Sequence, residues 1–127
     1  MAIRPELNLR LPNSPGALAE VCRVLADERV NLVAMALEAS GQLRLVVDNH
    51  VRAAAVLRAA HHQITERAVL VVAVSHVPGG VAPVLEMVAG AGVNVEYAYG
   101  SATDAAGSTT IVLAAEDALR AAARTGL

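Results

Sequence analysis

The chain has 127 residues, 55% of them hydrophobic and 17% charged, which supplies a packed core and does not fit the polar, highly charged profile of disorder. Its net charge is -2, its ten basic residues form no run, and it has no Trp, no Phe and two Tyr, so both the electrostatic footprint and the stacking platforms of a nucleic-acid binder are missing. No apolar run approaches the roughly 18 to 20 residues of a membrane span, and the charged start MAIRPELNLRL lacks signal-peptide character, so a soluble cytoplasmic protein without membrane contact is expected.

From Ile3 to Leu11 apolar and polar residues alternate, which predicts a strand with Arg4, Glu6, Asn8 and Arg10 on a wet face. Pro12-Asn13-Ser14-Pro15-Gly16 breaks it, and Ser14 before Pro15 suits an N-cap with proline at the first helical position. Leu18, Val21, Cys22, Leu25 and Ala26 then keep the spacing of an amphipathic helix. Within it Cys22, the sole cysteine, reads as a small buried hydrophobe. Asn31 ends the helix. Leu32 to Ala39 is a β-rich run that turns at Ser40-Gly41 into Gln42 to Asp48, and Asn49 caps a second, Ala-rich helix from Val51 to about His61.

Ile64 to Val74 follows as one long strand. A third helix runs from about Val81 to Ala91 with Gly92 as its stop, and Val93-Asn94-Val95 re-enters the sheet. The hairpin loop Ser101 to Ser108 is three residues longer than its counterpart. Thr109 to Leu113 is the return strand, Glu116 to Arg124 the last helix, and no length is left for a closing strand.

This order is a duplication. Pro15-Gly16 recurs as Pro78-Gly79, and the same offset carries Leu18 onto Val81, Leu25 onto Val88 and Asn31 onto Asn94. Two repeats, 1–67 and 68–127, then have a single stretch, Ile64 to Val74, to close the first copy and open the second. The fold class expected is α+β, with both βαββα(β) repeats in one continuous antiparallel sheet of about six strands and the helices on one face. Apolar residues on both alternating sets of Ala68 to Val74 predict a bare surface that a second subunit covers, hence a homodimer.

LPNSPGALAEVCRVLADERVNL with its flanking strands, and VPGGVAPVLEMVAGAGVNVEY after it, resemble the ACT domain, a ferredoxin-like module that binds amino acids beside many metabolic enzymes. The likeness is greatest to stand-alone tandem ACT proteins, although the last strand of the second copy is missing and Ala34 and Ala36 correspond to Tyr97 and Tyr99. The resemblance implies that the strand-to-helix loops cradle the amino-acid group of a ligand: Asn13, Ser14, Gly16, Ala17 and Leu18 in the first copy, His76, Gly79, Gly80 and Val81 in the second. Glycine at a helix start lets a ligand approach the backbone, and free N–H groups there favour a carboxylate; a plain tight turn is the competing reading. Asn31 and Asn94 offer an amide to either end of an amino acid, or merely tolerate a left-handed conformation after a helix. Leu32, Val33 and Val95 would supply aliphatic walls.

Other chemistry finds less support. Adjacent His61 and His62 diverge by about 100° if helical, so they do not form a metal face. No nucleophile elbow surrounds a serine, and neither glycine pair is followed by Gly-Lys-Ser/Thr. The expected function is non-catalytic sensing of a free amino acid or similar small metabolite between the two copies, without a cofactor and with a metabolic enzyme as possible partner. An adaptor with a degenerate pocket and a small ferredoxin-like enzyme are the alternatives.

Overall fold

The computed structural model describes residues 2–125. Its elements in chain order are β1 (Ala2–Arg10), α1 (Ala17–Asp27), β2 (Leu32–Leu37), β3 (Gln42–Val47), α2 (His50–Ala59), β4 (Thr65–Ser75), α3 (Ala82–Gly90), β5 (Val95–Gly100), β6 (Ser108–Ala115) and α4 (Ala118–Thr125). The six strands follow the order β2-β3-β1-β4-β6-β5, and the pairs β1/β3, β2/β3, β4/β6 and β5/β6 are antiparallel. The single long strand expected over Ile64 to Val74 is β4, Thr65–Ser75. The chain divides into two compact units, Pro5–Arg67 and the part from Ala68 onward, to which β1 residues up to Arg4 also belong.

In the Pro5–Arg67 unit, the period-two alternation of β1 and β3 places Leu7, Leu9, Leu11, Leu43, Leu45 and Val47 on one face. Val21 and Leu25 of α1 and Ala53, Ala54 and Leu57 of α2 close over that face. Each fully buried Leu or Val is worth about 1.5 to 3 kcal/mol, so this aliphatic cluster holds both helices to the sheet. Asn49 caps α2 through its side chain, which accepts from the Arg52 N–H at 3.1 Å. Cys22 is half-buried and is not part of the buried cluster.

Three expectations fail here for identifiable reasons. Helix α1 begins at Ala17, and Ser14 does not cap it: Gly16 adopts a left-handed φ of 86°, and the Ala17 N–H bonds to the Ser14 carbonyl at 3.4 Å. The left-handed residue after α1 is Arg29 (φ 58°) and not Asn31, because the helix closes with Val30 N–H to Leu25 O and Arg29 N–H to Ala26 O. Glu6, expected to be wet, is 0% exposed. Asn8 Nδ2 donates to Glu6 Oε1 at 3.0 Å and Gln42 Nε2 donates to Asn8 Oδ1 at 3.2 Å, a chain of the kind a buried carboxylate needs.

The second unit repeats the plan with smaller side chains. Leu70, Leu113 and Ala115 meet Val88 and Ala91 of the α3 segment and Ala118 and Ala121 of α4. Its hairpin copies the first in register: Leu32 faces Val47 and Ala34 faces Val46 across a bulge, while Val95 faces Ala115 and Tyr97 faces Ala114 across another. Tyr97 and Tyr99 stack with centroids 6.4 Å apart on one face of β5. Within the single chain Val69 to Val72 and Val74 are buried while Ala68 and Ala73 are exposed, so little of the bare strand surface expected to require a second subunit remains.

Candidate ligand-binding site

The pairing of Leu9 with Leu43 and Arg10 with Gln42 carries the β1–α1 loop alongside the β2–β3 hairpin. The Leu11 N–H donates to Gly41 O at 2.8 Å and locks the two together. Gly41 has φ 92°, and a Cβ there would lie 2.4 Å from the Leu11 carbonyl oxygen, so the junction requires glycine.

Between loop and hairpin opens a cavity of about 430 Å³, within the range of small-ligand sites. Leu11, Pro12, Asn13, Ser14, Gly16, Ala17, Leu18 and Ala19 line one side, and Leu37, Glu38, Ala39 and Gly41 the other. At the start of α1 no side chain caps the helix. The Ala17 N–H goes to Ser14 O and the Glu20 N–H to Gly16 O, while Leu18 and Ala19, whose N–H groups lie between these, both line the cavity. Open space surrounds the position a Gly16 Cβ would occupy. Across the cavity Glu38 pairs with Arg44 Nη1, and Ser40 Oγ lies 3.4 Å from its other carboxylate oxygen. The walls are otherwise aliphatic. The arrangement offers N–H donors to a carboxylate, a carboxylate to an ammonium, and an apolar bed for a short side chain.

Of the residues named from sequence, Asn13, Ser14, Gly16, Ala17 and Leu18 come together in this cavity. Asn31, Leu32 and Val33 sit at the opposite end of β2 from Leu37, roughly 13 to 20 Å along the strand. In the second unit, His76, Gly79, Gly80 and Val81 form the loop between β4 and α3. That loop folds on itself: the Gly80 N–H donates to Val77 O, and a Cβ on Gly80 would lie 2.3 Å from Ser75 O. Asn94 and Val95 open β5, and the Asn94 N–H donates to Glu116 Oε1 at 3.2 Å. The hairpin residues Leu37, Glu38, Ala39 and Gly41 are not among the site residues expected from the sequence. The signal for them is topological: in a βαββ order, β1 pairs with β3, so the hairpin turn must flank the β1–α1 loop.

A model of the ACT domain family matches residues 6–61. The match covers every residue of the cavity, and the arrangement of strands and helices is the ferredoxin-like fold of ACT domains. No curated protein matches the chain. Among solved structures, a protein of Bacteroides thetaiotaomicron shares 28% identity over 98% of this chain and 87% of its own, with a TM-score of 0.86. The ligand-free regulatory subunit of aspartate kinase from Thermus thermophilus shares 19% identity over 98% of this chain and 92% of its own, TM-score 0.66. E. coli aspartokinase III, solved in complex with lysine and aspartate in the T-state, shares 20% identity over 98% of this chain and 31% of its own, TM-score 0.57. At that identity the two kinase structures show a common fold. Among the described residues no helix is long and apolar enough to cross a membrane.

Proposed function

We propose that the chain is a tandem ACT pair acting as a non-catalytic amino-acid sensor, and that a free amino acid occupies the cavity between the β1–α1 loop and the β2–β3 hairpin. The observation that carries this reading is the uncapped start of α1 facing the Glu38 carboxylate across an aliphatic cavity of about 430 Å³. The zwitterion of an amino acid has the complementary groups. The ACT match over the same residues supports it, as does the fold shared with the regulatory subunit of Thermus thermophilus aspartate kinase and with E. coli aspartokinase III, an enzyme solved in complex with lysine and aspartate. The second copy, with His76, Gly79, Gly80, Val81, Asn94 and Val95, is a weaker site in this account because Gly80 packs against its own loop. A sensor acts by binding two states unequally, here those of a homodimer or of a complex with a metabolic enzyme. Met35 and Leu37, 43% and 47% exposed on β2 at the end of the strand order, supply an apolar strip for such an association.

A thermal-shift panel of the twenty amino acids tests the reading. A ligand at a hundred times its Kd stabilises by about 2.7 kcal/mol, a rise of several degrees for a chain of this size. A selective rise supports sensing. A flat panel favours an adaptor with an unused pocket, and turnover of any added amino acid removes the non-catalytic reading.

A further inference from the structure

We infer that a second groove, on the Pro5–Arg67 unit, is a binding site for a phosphoryl group. It has a volume of about 470 Å³, and Asn8, Arg10, Gln42, His61, His62 and Thr65 are among the residues that line it. None of its lining residues belongs to the amino-acid cavity. The lining contains no carboxylate, although acidic residues outnumber basic ones in the chain. The Asn8 amide is consumed internally, since its Nδ2 donates to Glu6 Oε1 and its Oδ1 accepts from Gln42 Nε2. Arg10 donates from Nη1 to Ser40 O at 2.9 Å, which leaves the rest of its guanidinium fork for another acceptor. The groove thus collects a permanent cation, two imidazoles, amide N–H groups and the Thr65 hydroxyl, a set rich in donors that suits the several acceptor oxygens of a phosphate.

The two histidines share the groove because of the backbone between them. Helix α2 stops at Ala59, so neither ring obeys helical geometry. His61 takes a left-handed φ of 74°, with His61 N–H bonded to Arg58 O and His62 N–H to Leu57 O, each at 3.0 Å. Glycine is the usual residue at this place in such a helix end. A histidine held there turns two adjacent rings, which would diverge on a helix, into one lining. Three or more metal-ligating side chains do not gather among the described residues, so the His pair fits an anion better than a metal.

The test titrates the full chain with inorganic phosphate at constant ionic strength, following the four histidine ring resonances by NMR and the heat by calorimetry. Saturable shifts of His61 and His62, with His50 and His76 still, are the expected result. Arg10→Gln should weaken phosphate binding by about tenfold or more. His61→Gly separates a site from a structural role: it should raise the melting temperature by a few degrees, because the strained residue is relieved, while weakening phosphate binding. A parallel titration with AMP identifies the source of the phosphoryl group: tighter binding than phosphate assigns a phosphate monoester, and equal binding assigns free phosphate. No saturable shift with either probe, equal movement of all four histidines, or unchanged affinity in both variants would overturn the inference.

Discussion

Asn31 and Asp48 exchange a reciprocal pair of hydrogen bonds across the base of the first hairpin: the Asn31 N–H donates to Asp48 Oδ1 at 3.0 Å and the Asp48 N–H to Asn31 O at 3.1 Å. Asn94 and Glu116 do the same in the second unit, at 3.2 and 3.0 Å. The residue after each acidic partner caps the next helix, Asn49 accepting from Arg52 N–H and Asp117 from Arg120 N–H. The duplicated segment therefore carries a structural clasp in which the backbone of Asn31 is engaged.

Removing that clasp should cost stability. Asp48→Ala is expected to lower the unfolding free energy by about 1 to 2 kcal/mol, the value of a charge-assisted bond to backbone N–H. Asp48→Glu should cost less than half as much, because Glu116 performs the same task in the second copy. Urea denaturation of the two variants checks the order.

Arg29 and Gly92 occupy equivalent places after α1 and α3, with φ 58° and 72°. Arg29→Gly relieves a left-handed residue bearing a Cβ and should raise stability by about 1 kcal/mol, reduced somewhat by the greater freedom of the unfolded chain. Gly92→Arg should lower it by a similar amount. Melting temperatures of the pair decide, and a fall for Arg29→Gly would contradict the assignment.

Much of this organisation was legible because it is periodic. Alternation in β1, the i, i+3, i+4 spacing in α1 and the constant offset between Pro15-Gly16 and Pro78-Gly79 are local or repeating signals. What escaped notice depends on contacts between distant residues. Glu6 looked wet because polarity was equated with exposure, whereas Asn8 and Gln42 satisfy its burial. One of the two readings of Asn31 made it the left-handed residue after the helix, but the bonds closing α1 put that conformation on Arg29. Half of the cavity followed from the Pro-Gly loop. The other half, Leu37 to Gly41, is set by β1 pairing with β3.

Gly41 is the most sensitive position of that junction. In Gly41→Ala the new methyl would stand 2.4 Å from Leu11 O in addition to the strain of φ 92°, so the loop and hairpin must separate. A loss of about 2 to 4 kcal/mol is expected. Gly107→Ala, at φ 82° with open space around its Cβ, carries the backbone strain alone and should cost only about 1 to 2 kcal/mol. At Gly16 a Cβ has room, yet φ 86° disfavours a branched residue, so Gly16→Val would perturb the helix start as well as any ligand.

Glu38→Gln is the cleaner probe of the cavity, since Glu38 is exposed and its substitution keeps the shape. Loss of the carboxylate should weaken amino-acid binding by about 1.5 to 3 kcal/mol, roughly tenfold to a hundredfold, with little change in melting temperature of the free protein. Calorimetry against the amino acid selected by the thermal-shift panel measures it.

Backbone amide NMR of the full chain, titrated with that amino acid, locates the ligand between the β1–α1 loop and the β2–β3 hairpin or elsewhere. The largest saturable shifts are expected on Leu18 and Ala19 at the start of α1 and on Glu38 and Ala39 in the facing hairpin. Shifts concentrated on His76 to Val81, or saturable binding that leaves Leu18, Ala19 and the hairpin unmoved, would contradict that placement.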